Sequence, residues 1–284
     1  MRRLFFPILL IAGAASAQDN EVNLEATEVA PGIYHIVGGG GNFTLQTGDE
    51  YNVLYDNGIP PYSDAVVDKV TELAGGPVDF VVNTHVHGDH TGANAAFAGA
   101  GSHVIAHENL RKRLVEKPED AGGPGGIPVV TFTDALTFHV NGIEAHVFHS
   151  ATAHTDGDAI IEFRGLNVIY AGDVWFNYVF PYIDLDQGGT VNGFIAAQKK
   201  IIALADDDTI ILPGHGPAGS RADLQAAVDM LENAEDLVAA LVAEGMSADE
   251  VVAANPLADY HDEWDWRFIT TERMTRTLYR SLTE

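Results

Sequence analysis

Residues 78–90 have the sequence VDFVVNTHVHGDH, in which a short apolar run leads into a turn with three histidines and an aspartate. Imidazole nitrogens and carboxylate oxygens are ligands of Zn²⁺, at about 2.0–2.2 Å. Gly88 allows the backbone to turn tightly enough to direct such side chains to one place. A single histidine in a strand is more often structural, but this density of ligands predicts a metal site. The candidate ligands in the turn are His85, His87, Asp89 and His90.

Two later apolar runs end in the same way. The run at 168–172 ends in Asp173, and the run at 210–214 ends in His215. Each run is short and continuous, which is typical of a buried strand. In layered α/β folds, ligands gather in the crevice beyond the ends of buried strands. Asp173 and His215 are therefore predicted to join the cluster, with His154 as a further candidate just past a predicted hairpin.

Taken together, these positions resemble the metallo-β-lactamase superfamily of binuclear metallohydrolases. The likeness lies in His-x-His-x-Asp-His at 85–90, in His154 followed by Thr155 and a glycine, in Ala-Gly-Asp at 171–173 and in Pro-Gly-His-Gly at 213–216. The full set in this order is far more specific than any one motif. The resemblance implies a four-layer αββα sandwich, in which two sheets face each other between outer helices, built from residues 18–284 as one domain with a helical C-terminal part.

The resemblance also implies how two metal ions are held. The best-known zinc β-lactamase subclass has a cysteine at the position of Asp173, and this chain has no cysteine. An aspartate there is more similar to the glyoxalase II, lactonase and general hydrolase branches. The resemblance therefore specifies the metal chemistry better than it specifies the substrate. One ion would lie on His85, His87 and His154, the other on Asp89, His90 and His215, and Asp173 would bridge both.

Such a site implies a hydrolase. Two Zn²⁺ ions about 3.5–4 Å apart lower the pKa of a shared water from about 15.7 to about 7. The resulting hydroxide would attack a cyclic amide (a β-lactam), an ester or a lactone, and Asp89 would orient it besides binding metal. Two alternatives stay open. One is an iron-dependent oxidoreductase or sulfur-compound dioxygenase on the same fold, and the other is a thioesterase of the glyoxalase II type.

His149 competes with His154 for the third ligand position of the first ion. It lies on the apolar face at the end of its predicted strand, where a ligand also emerges. We favour His154 because Thr155 and Gly157 form a turn that redirects it and because the family pattern matches there. Asp158 is a candidate acceptor for the second ring nitrogen of a metal-bound histidine, although it equally suits the cap of a turn.

Three aromatic residues follow Asp173 closely and are candidates for an apolar pocket wall: Trp175, Phe176 and Tyr178. Aromatic clusters are more often core than pocket. Residues 174–178 contain no Lys or Arg that would bind a substrate carboxylate, which disfavours a dedicated β-lactamase. A segment elsewhere in the sequence contains basic residues that could bind a substrate carboxylate, although exposed surface charge is the simpler interpretation of them. The residues concerned are Arg111, Lys112, Arg113 and Lys117.

The N-terminus has the pattern of a secretory signal peptide at residues 1–17. Arg2 and Arg3 precede an apolar stretch at 4–14, and Ala-Ser-Ala at 15–17 is a cleavage motif. The stretch is short for a membrane span, which needs about 20 apolar residues. The mature chain is therefore expected to be periplasmic or secreted, without insertion in the membrane.

The formal net charge is −26. Loss of Arg2 and Arg3 with the signal peptide would make it more negative. A surface of this charge repels nucleic acid and anionic membranes, so the expected partner is a small-molecule substrate. Because the chain has no cysteine, burial and metal binding have to hold the fold without disulfides.

The hydrophobic pattern predicts an α/β chain with at least ten strands. Short strands are expected over 18–58, followed by a helix over 63–73. Asn141-Gly142 between alternating runs predicts a two-residue hairpin. Ser and an acidic residue three positions later predict helices that begin near Ser220 and near Ser247.

Overall fold

The computed structural model describes residues 22–284, and the predicted signal peptide lies outside them. The strands are β1 (Glu25–Ala30), β2 (Ile33–Val37), β3 (Phe43–Gln46), β4 (Val53–Tyr55), β5 (Phe80–Val82), β6 (His103–His107), β7 (Val130–Phe132), β8 (Ala135–Val140), β9 (Ile143–His149), β10 (Ala159–Arg164), β11 (Val168–Phe176) and β12 (Ile210–His215). The α-helices are α1 (Ser63–Ala74), α2 (Gly88–Thr91), α3 (Asn94–Gly99), α4 (Glu108–Glu116), α5 (Val191–Leu204), α6 (Arg221–Ala243), α7 (Ala248–Ala254), α8 (His261–Trp264) and α9 (Thr271–Thr283). Short 3₁₀ turns lie at Pro60–Tyr62, Pro118–Ala121, Pro124–Gly126, Leu185–Gln187 and Ala258–Tyr260.

The strands form two mixed sheets. The first has the order β1-β2-β3-β4-β5-β6-β7, antiparallel up to β4 and parallel from β4 to β7. The second has the order β12-β11-β10-β9-β8, and only its β11–β12 pair is parallel. The parallel strands β5, β11 and β12 run in the direction that brings their carboxyl ends to the predicted ligands.

Three hydrophobic clusters define the layers. One lies between the sheets, where Val53 and Val82 of the first sheet meet Val147, Tyr170 and Leu212 of the second. A second packs α1 and α3 onto the outer face of the first sheet. A third packs α5, α6 and α9 onto the outer face of the second sheet. The order helix, sheet, sheet, helix confirms the predicted four-layer αββα sandwich.

Local signals in the sequence account for several boundaries. At the predicted hairpin, Val140 pairs with Ile143, and Asn141 and Gly142 both have positive φ, as a type I′ turn requires. The predicted helix over 63–73 is α1. Ser220 and Ser247 cap α6 and α7 through the expected capping boxes. Within residues 22–284, the helices are too short or too polar to cross a bilayer.

His35 gives the fold a predictable response to acid. Its side chain is buried on β2, and within residues 22–284 neither ring nitrogen has a hydrogen-bond partner. Burial lowers the pKa of His35 from 6.5 to about 4. The unfolded chain therefore binds more protons between those pH values, so this contribution to stability is complete above about pH 6.5 and is lost as the pH falls towards 4.

We expect His35→Leu to lose less stability on acidification than the wild-type chain. The shift in pKa corresponds to a difference of about 3 kcal/mol, at about 1.36 kcal/mol per unit. Urea unfolding of both proteins at pH 7 and pH 4 measures it. Equal losses in the two proteins would show that His35 does not contribute.

Candidate metal centre

The seven predicted ligands lie in one cluster at the carboxyl ends of the central strands. His85 follows β5, and His87 is the residue that caps the N-terminus of α2. Asp173 lies within β11, which continues to Phe176 rather than ending at Gly172 as the sequence suggested. His215 is the last residue of β12, the parallel neighbour of β11.

Four of these residues form a first group: His85, His87, His154 and Asp173. One ligand atom from each lies within 4.8 Å of the others. Nε2 of His85 and Nε2 of His154 are each 3.5 Å from Oδ2 of Asp173. Nε2 of His154 is 2.8 Å from Nδ1 of His87. Ring nitrogens thus face one another around a small central space.

Asp89, His90 and His215 form a second group, with ligand atoms again within 4.8 Å of one another. Nε2 of His215 lies 3.2 Å from Oδ2 of Asp89. Asp173 also reaches this group, since its Oδ1 is 3.1 Å from Nε2 of His90 and its Oδ2 is 3.4 Å from Nε2 of His215. The carboxylate of Asp173 therefore lies between the two groups.

The donor atoms fit a pair of metal ions. Nε2 of His85, Nε2 of His90 and Oδ1 of Asp173 are buried and, in the part of the chain that the structure describes, make no hydrogen bond. Buried polar atoms without partners cost free energy. Coordination of a metal ion would satisfy all three, and a set of imidazoles and carboxylates is chemically suited to Zn²⁺.

The segment at 182–184 orients two histidines of the first group. Nε2–H of His87 donates to Oδ2 of Asp184 at 2.9 Å, and Nδ1–H of His154 donates to the carbonyl oxygen of Tyr182 at 2.7 Å. In each ring the other nitrogen faces the cluster, and these two nitrogens lie 2.8 Å from each other, so both are placed to bind one metal ion. Partners of this kind fix the tautomer and the orientation of a metal-binding imidazole.

Asp56 performs the same task for both groups at once. It is fully buried, and its carboxylate accepts hydrogen bonds from Nδ1–H of His90, the backbone N–H and hydroxyl of Thr84, and the hydroxyl of Tyr170, at 2.6–2.9 Å. Because the Thr84 hydroxyl donates to Asp56, it accepts from Nδ1–H of His85 at 3.0 Å. The carboxylate of Asp56 therefore orients His90 by a direct hydrogen bond, and it orients His85 indirectly, through the hydroxyl of Thr84.

Sequence reasoning missed Asp56, Asp184, Tyr170 and Thr84. For Asp56 a signal exists, since it directly follows the buried strand β4, much as His85 comes after β5 and His215 ends β12. Asp56 also has a φ of 63°, a left-handed conformation that aspartate tolerates better than most residues. The Asp184 contact joins residues 97 positions apart, so no local pattern indicates it.

Burial and neighbouring charges shift the pKa values of the clustered residues in different directions. Burial lowers the pKa of His154 to about 3, which leaves a neutral imidazole able to bind a metal. Burial opposes ionisation of Asp173, but His90, His215 and His85 outweigh it and hold the pKa of its carboxyl well below the usual range. Burial lowers the pKa of His215, yet Asp173 and Asp89 raise it to about 9. Metal binding at His215 must therefore displace a proton.

Two glycines give the cluster its space. A Cβ on Gly214 would overlap Oδ1 of Asp173. Gly172 has a φ of 52°, and a Cβ there would lie 2.7 Å from the Thr84 hydroxyl. Close approach therefore requires a glycine at both positions, and at Gly172 the left-handed backbone conformation favours it as well.

A cavity of about 430 Å³ opens above the cluster. Of the three aromatic residues predicted to line it, the structure places only Phe176 there. Trp175 is fully buried in the core between the second sheet and its helices, and Tyr178 is 56% exposed, with its hydroxyl bonded to Asp223. The side chains that line the cavity are His87, Asp89, Asp173, Phe176, Tyr182, His215, Trp266 and Phe268, with Gly88.

The basic residues that the sequence suggested as partners of a substrate carboxylate do not line the cavity. Arg111 donates to the carbonyl oxygen of Pro128, and Arg113 pairs with Asp156. Within residues 22–284, the cavity lining contains neither Lys nor Arg.

His149 is outside the cluster, and His154 is within it. The ring of His149 stacks on His107 at 3.8 Å between centroids, and its Nδ1–H donates to the carbonyl oxygen of Asp158. The carboxylate of Asp158 accepts from the backbone N–H and hydroxyl of Thr155. Asp158 therefore caps the turn after His154 rather than holding an imidazole.

The chain belongs to the metallo-β-lactamase superfamily, whose family model matches residues 36–242. Its clustered histidines and aspartates form groups that could hold a metal ion. It is 30% identical over 162 residues to a hydroxyacylglutathione hydrolase of Polaromonas sp., covering 55% of this chain and 56% of that protein. It is 25% identical over 152 residues to a 2,4-dinitroanisole O-demethylase subunit alpha of Nocardioides sp., covering 53% and 44%. The chain thus spans about half the length of the curated relatives it matches.

Solved structures share the fold at lower identity. A metallo-β-lactamase from Pontibacter korlensis superposes with a TM-score of 0.64 at 20% identity, covering 74% of this chain and 100% of that one. A stereoselective inverting sec-alkylsulfatase from Pseudomonas sp. gives 0.71 at 17% identity, covering 92% and 50%. A metallo-β-lactamase from Hirschia baltica gives 0.61 at 15% identity, covering 73% and 97%.

We expect Asp184→Asn to weaken metal binding at the first group by about 10–100-fold, the range typical of residues that hydrogen-bond a metal ligand. The substitution removes the charged acceptor that holds Nε2–H of His87. Asp186→Asn is the matched control, because Asp186 lies in the same turn but pairs with Arg280 on the surface. Competition with a chelating dye measures both affinities. Equal affinities in the two variants would rule out this role for Asp184.

Proposed function

We propose that this chain is an exported zinc-dependent hydrolase that holds two Zn²⁺ ions and cleaves a carboxylic ester, a lactone or a cyclic amide. One observation carries the proposal: five histidines and two aspartates from distant segments converge in one cluster with their donor atoms close together, and four of the seven line a cavity. The superfamily membership supports the reaction type. We propose three things beyond this: that the metal is zinc, that two ions bind per chain, and that the bond cleaved is a carboxylic ester, a lactone or a cyclic amide.

When bound, two zinc ions lower the pKa of a shared water and polarise a carbonyl oxygen. The chain's own residues supply orientation. Asp89 borders the cavity, and its carboxylate is suited to accept a hydrogen bond from the attacking water and so to direct it. Asp56, Thr84, Tyr182 and Asp184 keep the imidazoles in the tautomers that present a lone pair to the cavity. The aromatic wall of the cavity excludes bulk water from the reacting bond.

Two observations order the substrate classes. A carboxylate-bearing β-lactam finds neither Lys nor Arg in the described lining of the cavity, so an ester or lactone is the better match. A thioesterase is the second candidate, because the chain resembles a hydroxyacylglutathione hydrolase over 162 residues. That substrate class is also anionic, which the absence of Lys and Arg from the described lining disfavours.

The test uses the purified full mature chain. Metal analysis is expected to give zinc at two ions per chain, and iron in its place would favour the oxidoreductase or dioxygenase alternative. The zinc-loaded protein is then assayed on nitrocefin, lactones, carboxylic esters, thioesters and phosphodiesters, before and after treatment with a chelator. Hydrolysis of an ester or lactone that the chelator abolishes supports the proposal, and inactivity on all of them contradicts it.

Export is proposed from the N-terminal pattern at residues 1–17, which lies outside the described residues. Mass spectrometry of the protein expressed in a Gram-negative host with its natural N-terminus tests this part. A periplasmic or secreted form that begins at Gln18 supports it, and an intact chain that stays in the cytoplasm contradicts it.

A further inference from the structure

Four aromatic side chains form a continuous collar around the cavity: Phe176, Tyr182, Trp266 and Phe268. Phe268 lies 5.6 Å from Trp266 and 5.4 Å from Tyr182, between ring centroids. Trp266 lies 6.4 Å from Phe176. The collar joins the metal cluster at both ends, because Phe176 stacks on His215 at 5.0 Å and Tyr182 lies 5.5 Å from His87.

Contacts within the protein hold the collar in place. Nε1–H of Trp266 donates to the carbonyl oxygen of Phe180 at 3.0 Å. The guanidinium of Arg273 lies 4.3 Å from the centre of the Phe268 ring and 5.1 Å from that of Tyr182, and it donates to the Phe268 carbonyl oxygen. A wall that is already ordered loses little entropy when a substrate binds.

One collar residue is left with apolar surface to cover. Phe268 is 46% exposed at the mouth of the cavity, and an exposed apolar surface beside a cavity marks a place for a ligand. The charged side chains of the lining are the candidate metal ligands themselves.

From this lining we infer that the non-reacting part of the substrate is an uncharged alkyl or aryl group, which lies against the collar, and that Phe268 and Trp266 set this preference. The inference rests on the proposed hydrolase function and narrows its substrate class. Both residues lie beyond the segment 36–242 that matches the family model. The preference would therefore belong to this chain's C-terminal part rather than to the shared fold.

The first test measures kcat/KM of the zinc-loaded protein on 4-nitrophenyl acetate, butyrate, hexanoate and octanoate. Each methylene that becomes buried is expected to raise kcat/KM by up to about fourfold. The hydrogen adipate ester, which replaces the terminal methyl of the hexanoate by a carboxylate, is expected to react at least about tenfold more slowly. Flat values along the series, or preference for the adipate, would overturn the inference, the latter in favour of an anionic group directed to Arg273.

Variants locate the effect at the collar. Phe268→Ser is expected to lower kcat/KM for the octanoate ester by about 10-fold. For the acetate ester, kcat/KM should change by less than about twofold. Phe268→Leu is expected to keep most of the wild-type kcat/KM for the octanoate ester. Tyr51→Ser is the matched control, because Tyr51 is 45% exposed on the surface and lies outside the cavity. Equal effects of Phe268→Ser on all chain lengths, or an equal effect of Tyr51→Ser, would contradict the role of Phe268.

A binding measurement separates this inference from the proposed function. Calorimetric titration with unreactive methyl ketones of rising chain length tests the collar whether or not any ester is hydrolysed. Tighter binding with length, lost in Phe268→Ser, supports the collar even if the esters are not substrates. Ester hydrolysis combined with ketone binding that does not depend on length or on Phe268 would reject the collar and leave the hydrolase proposal standing.

Discussion

Asp173→Ala is expected to reduce hydrolysis by more than about 100-fold, beyond the range of about 10–100-fold for residues that only hydrogen-bond a metal ligand. Asp173 is the carboxylate that lies between the two groups, within 3.5 Å of ring nitrogens from both. Its loss should therefore weaken binding of both ions together. Activity assays and metal analysis of the same preparation measure the two effects.

His87→Ala is the companion to that experiment. His87 belongs to the first group alone and is more exposed than Asp173, so its loss should remove one ion while the protein stays folded. Circular dichroism before each assay separates loss of function from loss of fold. Undiminished turnover in either folded variant would count decisively against a two-metal hydrolase.

Asp56→Ala is expected to cost about 3–5 kcal/mol of stability, the range for breaking a buried ionic pair by removing one partner. The carboxylate and its partner His90 are both fully buried. Removal leaves the ring N–H of His90 and two donors of Thr84 buried without an acceptor, whereas the hydroxyl of Tyr170 keeps the carbonyl oxygen of Asn42 at 2.8 Å. Urea unfolding of the metal-free and zinc-loaded proteins measures the loss.

Asp56→Asn separates charge from backbone conformation at the same position. Asparagine accepts the positive φ of residue 56 readily, so this variant should keep more of the stability than Asp56→Ala. It still lacks the charged acceptor for Nδ1–H of His90, and we expect zinc affinity to fall by about 10–100-fold. Zinc affinity equal to that of the wild-type chain would show that Asp56 supports the fold without orienting the metal ligands.

The set of converging side chains was predictable because its signals are local, whereas the four-layer sandwich was implied by the resemblance to the metallo-β-lactamase superfamily. A turn with four potential ligands follows one buried strand, and single ligands follow two others, so the rule that strand ends share a crevice is enough to bring them together. The choice of His154 over His149 rested on the turn after His154 and on the family pattern, and in the structure the ring of His149 stacks on His107 instead.

The surroundings of the cluster were not predictable in the same way. Asp184 and Tyr170 reach their partners across 97 and 114 residues, and the collar depends on a loop near the C-terminus that no motif links to the site. Trp175 was wrongly included in the predicted pocket wall, whereas Asp184 and Tyr170 were missed. Its position two residues after Asp173 suggested the pocket, but sequence proximity does not tell which layer a side chain enters, and it packs into the core.

Diffraction from zinc-loaded crystals, recorded on both sides of the zinc absorption edge, tests the metal centre most directly. We predict two anomalous peaks about 3.5–4 Å apart. One should lie on His85, His87 and His154, the other on Asp89, His90 and His215, with Asp173 in contact with both. A single peak, or peaks held by other side chains, would contradict the two-metal centre on which the proposed chemistry depends.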